Sequence, residues 1–135
     1  MDADAAYAHS RFRDAGTEDR IPLAVEGVAS FGATVENLGP FSAGLRLRYV
    51  GEAPLVENNS VRSESTTLFN ARLDYQLSPQ WGISLAAFNL LDSGDNDITY
   101  FYASRLQGEP DGGVEDIHFH PVELRNFRLS LRAKF

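Results

Sequence analysis

The chain has 135 residues, which is room for one ordinary domain, and its net charge of −7 argues against a nucleic-acid-binding surface. It contains no cysteine, which excludes both a disulfide framework and a thiolate site. No stretch approaches the roughly 18–20 consecutive apolar residues of a spanning helix, so a membrane location would require a closed β-barrel.

The N-terminus, residues 1–5, has neither the basic region nor the apolar region of a signal peptide. A complete precursor of an exported barrel would carry such a peptide. Residues 5–10 also look like the middle of a strand. We therefore expect the chain to be a fragment of a larger protein.

Apolar and polar residues alternate along nearly the whole chain, the pattern of β-strands with one apolar face. A weak candidate strand at 3–13 contains Tyr7 and Phe12. Clearer alternation follows at 28–37, 41–50, 67–77, 81–91 and 125–135. In the last of these segments, apolar residues occupy every second position from Phe127 to Phe135. The pattern predicts about six strands, each close to the roughly 9–11 residues that cross a bilayer when tilted.

Short and long connections alternate between these strands. Residues 37–40 and 78–80 form tight turns, whereas the long polar segments are 14–26, 51–65 and 92–124. Outer-membrane barrels combine short periplasmic turns with long extracellular loops. The spacing predicts an antiparallel up-and-down meander with both tight turns on one rim.

Alternation also fits a soluble β-sandwich or lectin-like binding module, in which the apolar face packs into a core. Aromatic residues, however, gather at the strand ends, as they do in the girdles of membrane barrels. Six strands do not close a barrel, since about eight is the usual minimum, and an open sheet in lipid leaves its edges unpaired. We therefore expect an all-β segment of a larger transmembrane β-barrel. A small structural outer-membrane barrel is a third interpretation.

The alternation also assigns residues to the two faces of the sheet. The predicted lipid-facing residues are Leu45, Leu47, Phe69, Leu73, Leu85, Leu129 and Leu131. The predicted lumen-facing residues are Arg46, Arg48, Arg72, Asp74, Arg128 and Arg132.

Four segments together resemble the C-terminal strands of TonB-dependent outer-membrane receptors. Residues 88–92, Phe-Asn-Leu-Leu-Asp, resemble the pattern of the penultimate strand, and 125–135 resembles the closing strand with its terminal Phe. Residues 45–51 resemble an ascending strand that ends in Tyr-Val-Gly. Residues 20–24 resemble the proline-bearing loop before a descending strand.

The resemblance covers essentially the whole chain, 1–135, and implies a barrel of about two dozen strands. It implies an outer-membrane location and import of a scarce, bulky solute such as a siderophore, cobalamin or an oligosaccharide. It also implies a lipid bilayer around the wall, an N-terminal plug and TonB as energy-coupling partner. The plug and the N-terminal strands are absent from this sequence.

The loop at 92–124 contains the candidate site residues. Tyr100, Tyr102 and Arg105 are candidates for contact with a ligand at the outer mouth, unless this run instead pairs with the final strand. His118 and His120 flank one aromatic residue and, with Asp116 and Glu123, are candidates for a metal site. The alternative is that both histidines are ordinary loop residues.

The remaining chemistry is sparse. The acidic residues at 92–97 lack the frame and closing Glu of an EF-hand. The sequence shows no nucleophile–base arrangement, phosphate loop or zinc spacing, so we expect neither an enzyme nor a cofactor. In the resembled family, a terminal aromatic helps the outer-membrane assembly machinery recognise the nascent barrel. Phe135, with Phe127 at the start of the same register, is the corresponding candidate here.

Overall fold

The computed structural model describes residues 1–13, 16 and 19–135. Every regular element in that part of the chain is a β-strand, and none of it is a helix long and apolar enough to span a membrane. The strands are β1 (Asp2–Tyr7), β2 (Gly27–Leu38), β3 (Phe41–Val50), β4 (Thr66–Gln76), β5 (Trp81–Phe88), β6 (Asn96–Ser104), β7 (Val114–Pro121) and β8 (Asn126–Ala133).

Six of the strands form one open antiparallel sheet in the order β1-β2-β3-β4-β5-β8. The other two, β6 and β7, form a separate hairpin inserted between β5 and β8. Each strand of the large sheet pairs with the one before it, apart from this insertion. The expected meander is confirmed. Within the described residues the sheet does not close.

The tight turns lie together on one rim, which we call the turn rim. The β2–β3 turn uses Gly39 with φ of 62°, and Asn37 before it has the same φ. At the start of β3, the Phe41 ring lies 4.7 Å from the ring of Tyr75 near the end of β4. The backbone N of Gln76 also donates to the carbonyl of Pro40 at 2.8 Å. The opposite edge of the sheet, where the long loops emerge, is the loop rim.

The apolar face of the sheet is uncovered. Cross-strand pairing places Leu73 opposite Leu85, and Leu85 opposite Leu129, so these side chains share one surface. Leu129 is 74% exposed and Leu131 is 65% exposed. The predicted division into two faces is confirmed, because the predicted polar residues occupy the alternate positions. Among the described residues no second sheet covers the leucines, so the packed core of a sandwich is not seen.

Most of the buried apolar side chains lie in the loops, and Ala87 of β5 is the exception on the sheet. Ala53, Pro54 and Leu55, in the β3–β4 loop, are buried at the loop rim, as is Val122. The backbone N of Leu23 donates to the carbonyl of Pro54 at 2.8 Å, which joins the β1–β2 loop to the β3–β4 loop. Within the described residues, most of the small apolar core therefore lies at the loop rim, beyond the ends of the strands.

Three expectations about individual strands need correction. The first strand ends at Tyr7, and Phe12 lies in the following loop. The segment around Tyr100 pairs with β7 and not with the final strand. β8 ends at Ala133, so Phe135 lies beyond the strand instead of at its last outward site. The N of Lys134 still bonds the carbonyl of Gln80 at 2.9 Å, which ties the chain end to the turn rim.

Candidate functional site

The polar face of the sheet is concave and encloses a space of about 510 Å³, which we call the cleft. Small side chains line the floor of the cleft, so a bound molecule can approach the backbone of the strands there. Two cross-strand rows illustrate this: Thr34 lies opposite Gly44, and Ser84 lies opposite Ser130. The floor residues are Gly32, Thr34, Gly44, Gly82, Ser84, Ala86 and Ser130.

Two arginines in the cleft are neutralised by acids of the same face. Arg46 on β3 lies 3.3 Å from Asp2 on the edge strand β1. Arg72 on β4 forms two hydrogen bonds of 2.8 Å to the carboxylate of Asp74, two positions further along the strand. Both pairs are well exposed, so each contributes little to stability, on the order of 0–1 kcal/mol. Their effect is to cancel charge locally.

Two further arginines line the cleft from β8. The guanidinium of Arg128 lies over the ring of Phe88, 5.1 Å from its centroid. Arg132 lies beside Gly82, where an added Cβ would sit 3.4 Å from its guanidinium nitrogen. Within the described residues, neither arginine has a carboxylate at ion-pair distance. The cleft is therefore basic along β8.

At the loop rim, Asn89 joins three segments of the chain. It is 3% exposed and has a φ of 46°, a left-handed conformation that asparagine tolerates better than most residues. Its Nδ2 donates to the carbonyls of Ser93 and Glu123 at 2.8 and 3.0 Å, and its Oδ1 accepts from the N of Ser93 at 2.9 Å. Asn89 thus fixes the end of β5 against the chain leading into β6 and the chain leading into β8.

Asp92 completes this turn. Its Oδ1 accepts from the backbone N of Arg125 at 3.1 Å, and its Oδ2 lies 3.2 Å from the Arg125 guanidinium. Asp92 also has a positive φ of 56°. The sequence singled out the segment 88–92 only through its family resemblance. In the structure, hydrogen bonds from side chains of this segment hold the start of β8 beside the end of β5.

A second polar cluster joins the loops between β1 and β2 and between β3 and β4. Glu26 accepts hydrogen bonds from Arg20 and from Arg62, the latter at 3.1 Å. Arg62 also binds Glu52 at 3.1 Å. The hydrogen bond from Arg62, with the nearby charge of Arg20, holds the pKa of Glu26 below its ordinary value. We call these four residues the Glu26 cluster.

The hairpin of β6 and β7 brings some of the predicted site residues together. Tyr102 stacks on His118 with ring centroids 4.0 Å apart and 18° between the planes, and Tyr100 lies directly opposite His118. Nε2 of His118 is buried without a hydrogen-bond partner among the described residues. Arg105 is not part of this group, because it binds Asp111 at 2.8 Å in the loop that connects the two strands.

The metal candidates do not gain a third ligand. Within residues 1–13, 16 and 19–135, no three His, Cys, Asp or Glu side chains are placed to hold a metal ion. His118 is engaged in its stack, while His120 lines a different hollow beside Asp97 and Leu68. Asp95 does not point to calcium either, because its carboxylate accepts from the N of Thr67 at 2.8 Å.

The two candidate assembly residues differ in their surroundings. Phe127 lies opposite Ala87 on the apolar face and is exposed there. Phe135 is fully exposed beyond the end of β8. Sequence reasoning did not find the Asn89 turn, the Glu26 cluster or the difference between paired and unpaired arginines. The positive φ of Asn89 was signalled only by an Asn directly after a strand.

No family model matches the chain, and neither does any curated protein. Among solved structures, the chain is similar to the ferric-catecholate import receptor Fiu from E. coli K12 in its closed form, with a TM-score of 0.64 and 20% sequence identity. The match covers 84% of this chain but only 15% of the receptor. At this identity the likeness concerns the fold alone: the chain forms an open antiparallel sheet similar to part of that receptor.

Proposed function

We propose that the chain is part of the barrel wall of an outer-membrane receptor that imports a scarce, bulky solute. The observation that carries the proposal is one sheet with an exposed apolar face and an opposite concave face that bears charges. In water such an apolar face would be a large unsatisfied patch. In a bilayer it is the outward surface of a barrel, and the charged face lines the lumen.

The two free edges support closure by further strands. β1 runs toward the loop rim and β8 runs away from it, so any even number of added strands preserves antiparallel pairing all round. Barrels of bacterial outer membranes have even strand numbers. The missing strands, and a plug inside the lumen, would belong to the rest of the parent protein, and TonB would couple energy to import through that plug.

The loop rim is the side where a solute would arrive. Tyr100 and Tyr102 are partly exposed on the hairpin, and their rings offer flat surfaces for stacking at the outer mouth. The class of solute, whether siderophore, cobalamin or oligosaccharide, depends on loops and a plug outside this chain. The similarity to a ferric-catecholate receptor makes a siderophore the first solute to test.

The absence of cysteine from the chain permits a direct test of the wall assignment. Leu129→Cys and Ser130→Cys are adjacent on β8 but face opposite sides of the sheet. With the full-length parent in lipid nanodiscs, a membrane-impermeant maleimide should label Ser130→Cys readily and Leu129→Cys slowly. Leu85→Cys and Ser84→Cys form a second matched pair on β5.

Equal labelling within both pairs would overturn the proposal, because neither face would then be covered by lipid. Slow labelling of the leucine positions in a detergent-free soluble oligomer would also contradict it. That outcome would show that protein, and not lipid, covers the apolar face.

A further inference from the structure

We propose that the cleft binds an acidic polypeptide segment whose carboxylates reach Arg128 and Arg132. The inference rests on the proposed function only for its setting, since a closed barrel turns the cleft into part of the lumen wall. The recognition itself depends on the charges, spacing and floor of the cleft.

The first observation is a contrast within the cleft. Arg46 and Arg72 each have a carboxylate of the same face within ion-pair distance. Arg128 and Arg132 have none among the described residues, although they face the same space. Asp74 is near enough to interact with the charge of Arg132, but its carboxylate is already hydrogen-bonded to Arg72. The arginines of β3 and β4 are thus paired within the cleft, and those of β8 are available for carboxylates from outside.

The second observation is the spacing of the available charges. Arg128 and Arg132 lie four positions apart on one strand, which separates their Cα atoms by about 13 Å. This distance is too long for one phosphate or one carboxylate to bridge. It suits two carboxylates carried by an extended chain that runs along β8. The small residues Ser84 and Ser130 lie between the arginines and leave room for a backbone.

The third observation is that Arg128 is already oriented. Its guanidinium lies over the Phe88 ring, 5.1 Å from the centroid, and its in-plane N–H groups have no carboxylate partner among the described residues. Arginine binds carboxylates through such in-plane donors, often two at a time. Less side-chain freedom is therefore lost when a carboxylate arrives.

The experiment measures binding of a short extended synthetic peptide, with two glutamates four positions apart, to the full-length parent in lipid nanodiscs. Arg128→Gln and Arg132→Gln should each raise Kd between about threefold and tenfold, and the double variant should raise it further. Arg48→Gln removes a charge from the same face outside the cleft and should leave Kd within about twofold. The glutamine version of the peptide should not bind.

Three results would overturn the inference. The first is absence of binding, and the second is equal weakening by Arg48→Gln, which would indicate general attraction by the charged face. The third is competition by inorganic phosphate or succinate at the same concentration as the peptide, which would make the cleft a small-anion site. Maleimide labelling of Leu129→Cys in the same nanodiscs reports separately on the wall assignment, so failure of one idea is distinguishable from failure of the other.

Discussion

The side-chain Oδ1 of Asn70 accepts a hydrogen bond of 2.9 Å from the backbone N of Asn89, and so joins the middle of β4 to the residue that follows β5. The next backbone N, that of Leu90, donates to the carbonyl of Phe69 at 2.7 Å. These bonds take the place of the regular backbone hydrogen bonds between β4 and β5 at the point where β5 ends and the chain leaves the sheet. The sheet is therefore held at the loop rim by side chains as well as by backbone.

Asn89→Ala should destabilise the folded chain by roughly 2–4 kcal/mol. The substitution removes the hydrogen bonds that the buried Asn89 side chain donates to the carbonyls of Ser93 and Glu123, and it places alanine in a left-handed conformation. Urea unfolding of the full-length parent in lipid vesicles measures the change. Asn58→Ala, in an exposed loop where the side chain accepts one bond, is the control and should cost less than about 1 kcal/mol. A similar loss of unfolding free energy in the two variants would show that Asn89 does not stabilise the loop rim.

Leu131→Arg should cost about 2–4 kcal/mol if the side chain lies near the middle of the bilayer. Leu131 pairs with Ile83 on the apolar face, whereas Ser130 beside it faces the cleft. Ser130→Arg is therefore the matched control and should be tolerated in the polar space. Unfolding titrations of the full-length parent in vesicles compare the two. A smaller cost for Leu131→Arg than for Ser130→Arg would reverse the assignment of the faces.

Acid should loosen the loops that the Glu26 cluster joins. The folded-state pKa of Glu26 is lowered from its ordinary 4.5 by the hydrogen bond from Arg62, so its contribution is present above 4.5 and is lost as pH falls through the lower folded-state pKa. Hydrogen exchange of residues 52–62 should therefore accelerate below about pH 4.5.

Glu26→Gln should accelerate exchange of residues 52–62 already at neutral pH and should flatten its dependence on acid. Glu36→Gln, close to the turn rim, serves as the control for loss of one carboxylate and should leave the acid response intact. An unchanged acid response in Glu26→Gln would assign the effect to other carboxylates. Asp19 is one of these, since its hydrogen bond from Arg11 also lowers its pKa.

Tyr102→Ala should loosen the hairpin of β6 and β7, because it removes the ring that stacks on His118. Aromatic pairs of this kind contribute about 0.5–1.5 kcal/mol beyond their buried area. Faster amide exchange in residues 114–121 would report the loss. Tyr102→Phe keeps the ring without the hydroxyl and should behave like the unaltered chain. Loosening by both variants would point to the hydroxyl instead of the stack.

Deleting Phe135 from the full-length parent should sharply lower its level in the outer membrane and leave the stability of the folded barrel nearly unchanged. Phe135 lies beyond β8 and is fully exposed, so it contributes little packing to the described fold. An exposed strand end can be recognised by strand addition with side chains in pockets. Quantitative immunoblots of membrane fractions measure the level, with Phe12→Ala as the control. Normal levels after the deletion would exclude the assembly role.

The large sheet was predictable because each of its longer strands alternates along its length. The β6–β7 hairpin was missed, although Ile98, Tyr100 and Tyr102 alternate with Thr99 and Phe101, because both sets are largely apolar or aromatic and the two faces do not contrast. The strand β1 was overextended, since Phe12 continued the pattern past the point where pairing with β2 ends.

The candidate site was harder to predict than the sheet. The rows of the cleft follow from strand register, which depends on turn geometry and a bulge between Val35 and Leu38. The Asn89 turn and the Glu26 cluster join residues more than thirty positions apart through single side chains. No periodic pattern encodes such contacts.

The uncovered face of the sheet has a consequence for how the sequence can change. Positions such as Leu85 and Leu129 have no neighbouring protein surface whose shape they must match, so Leu, Ile, Val and Phe should be nearly interchangeable there. Side-chain geometry should matter more at the loop rim, at polar residues such as Asn89 whose hydrogen bonds join separate segments. A sheet built this way can exchange most residues of its apolar face and keep the same path of the backbone, which is how 20% identity can accompany a TM-score of 0.64.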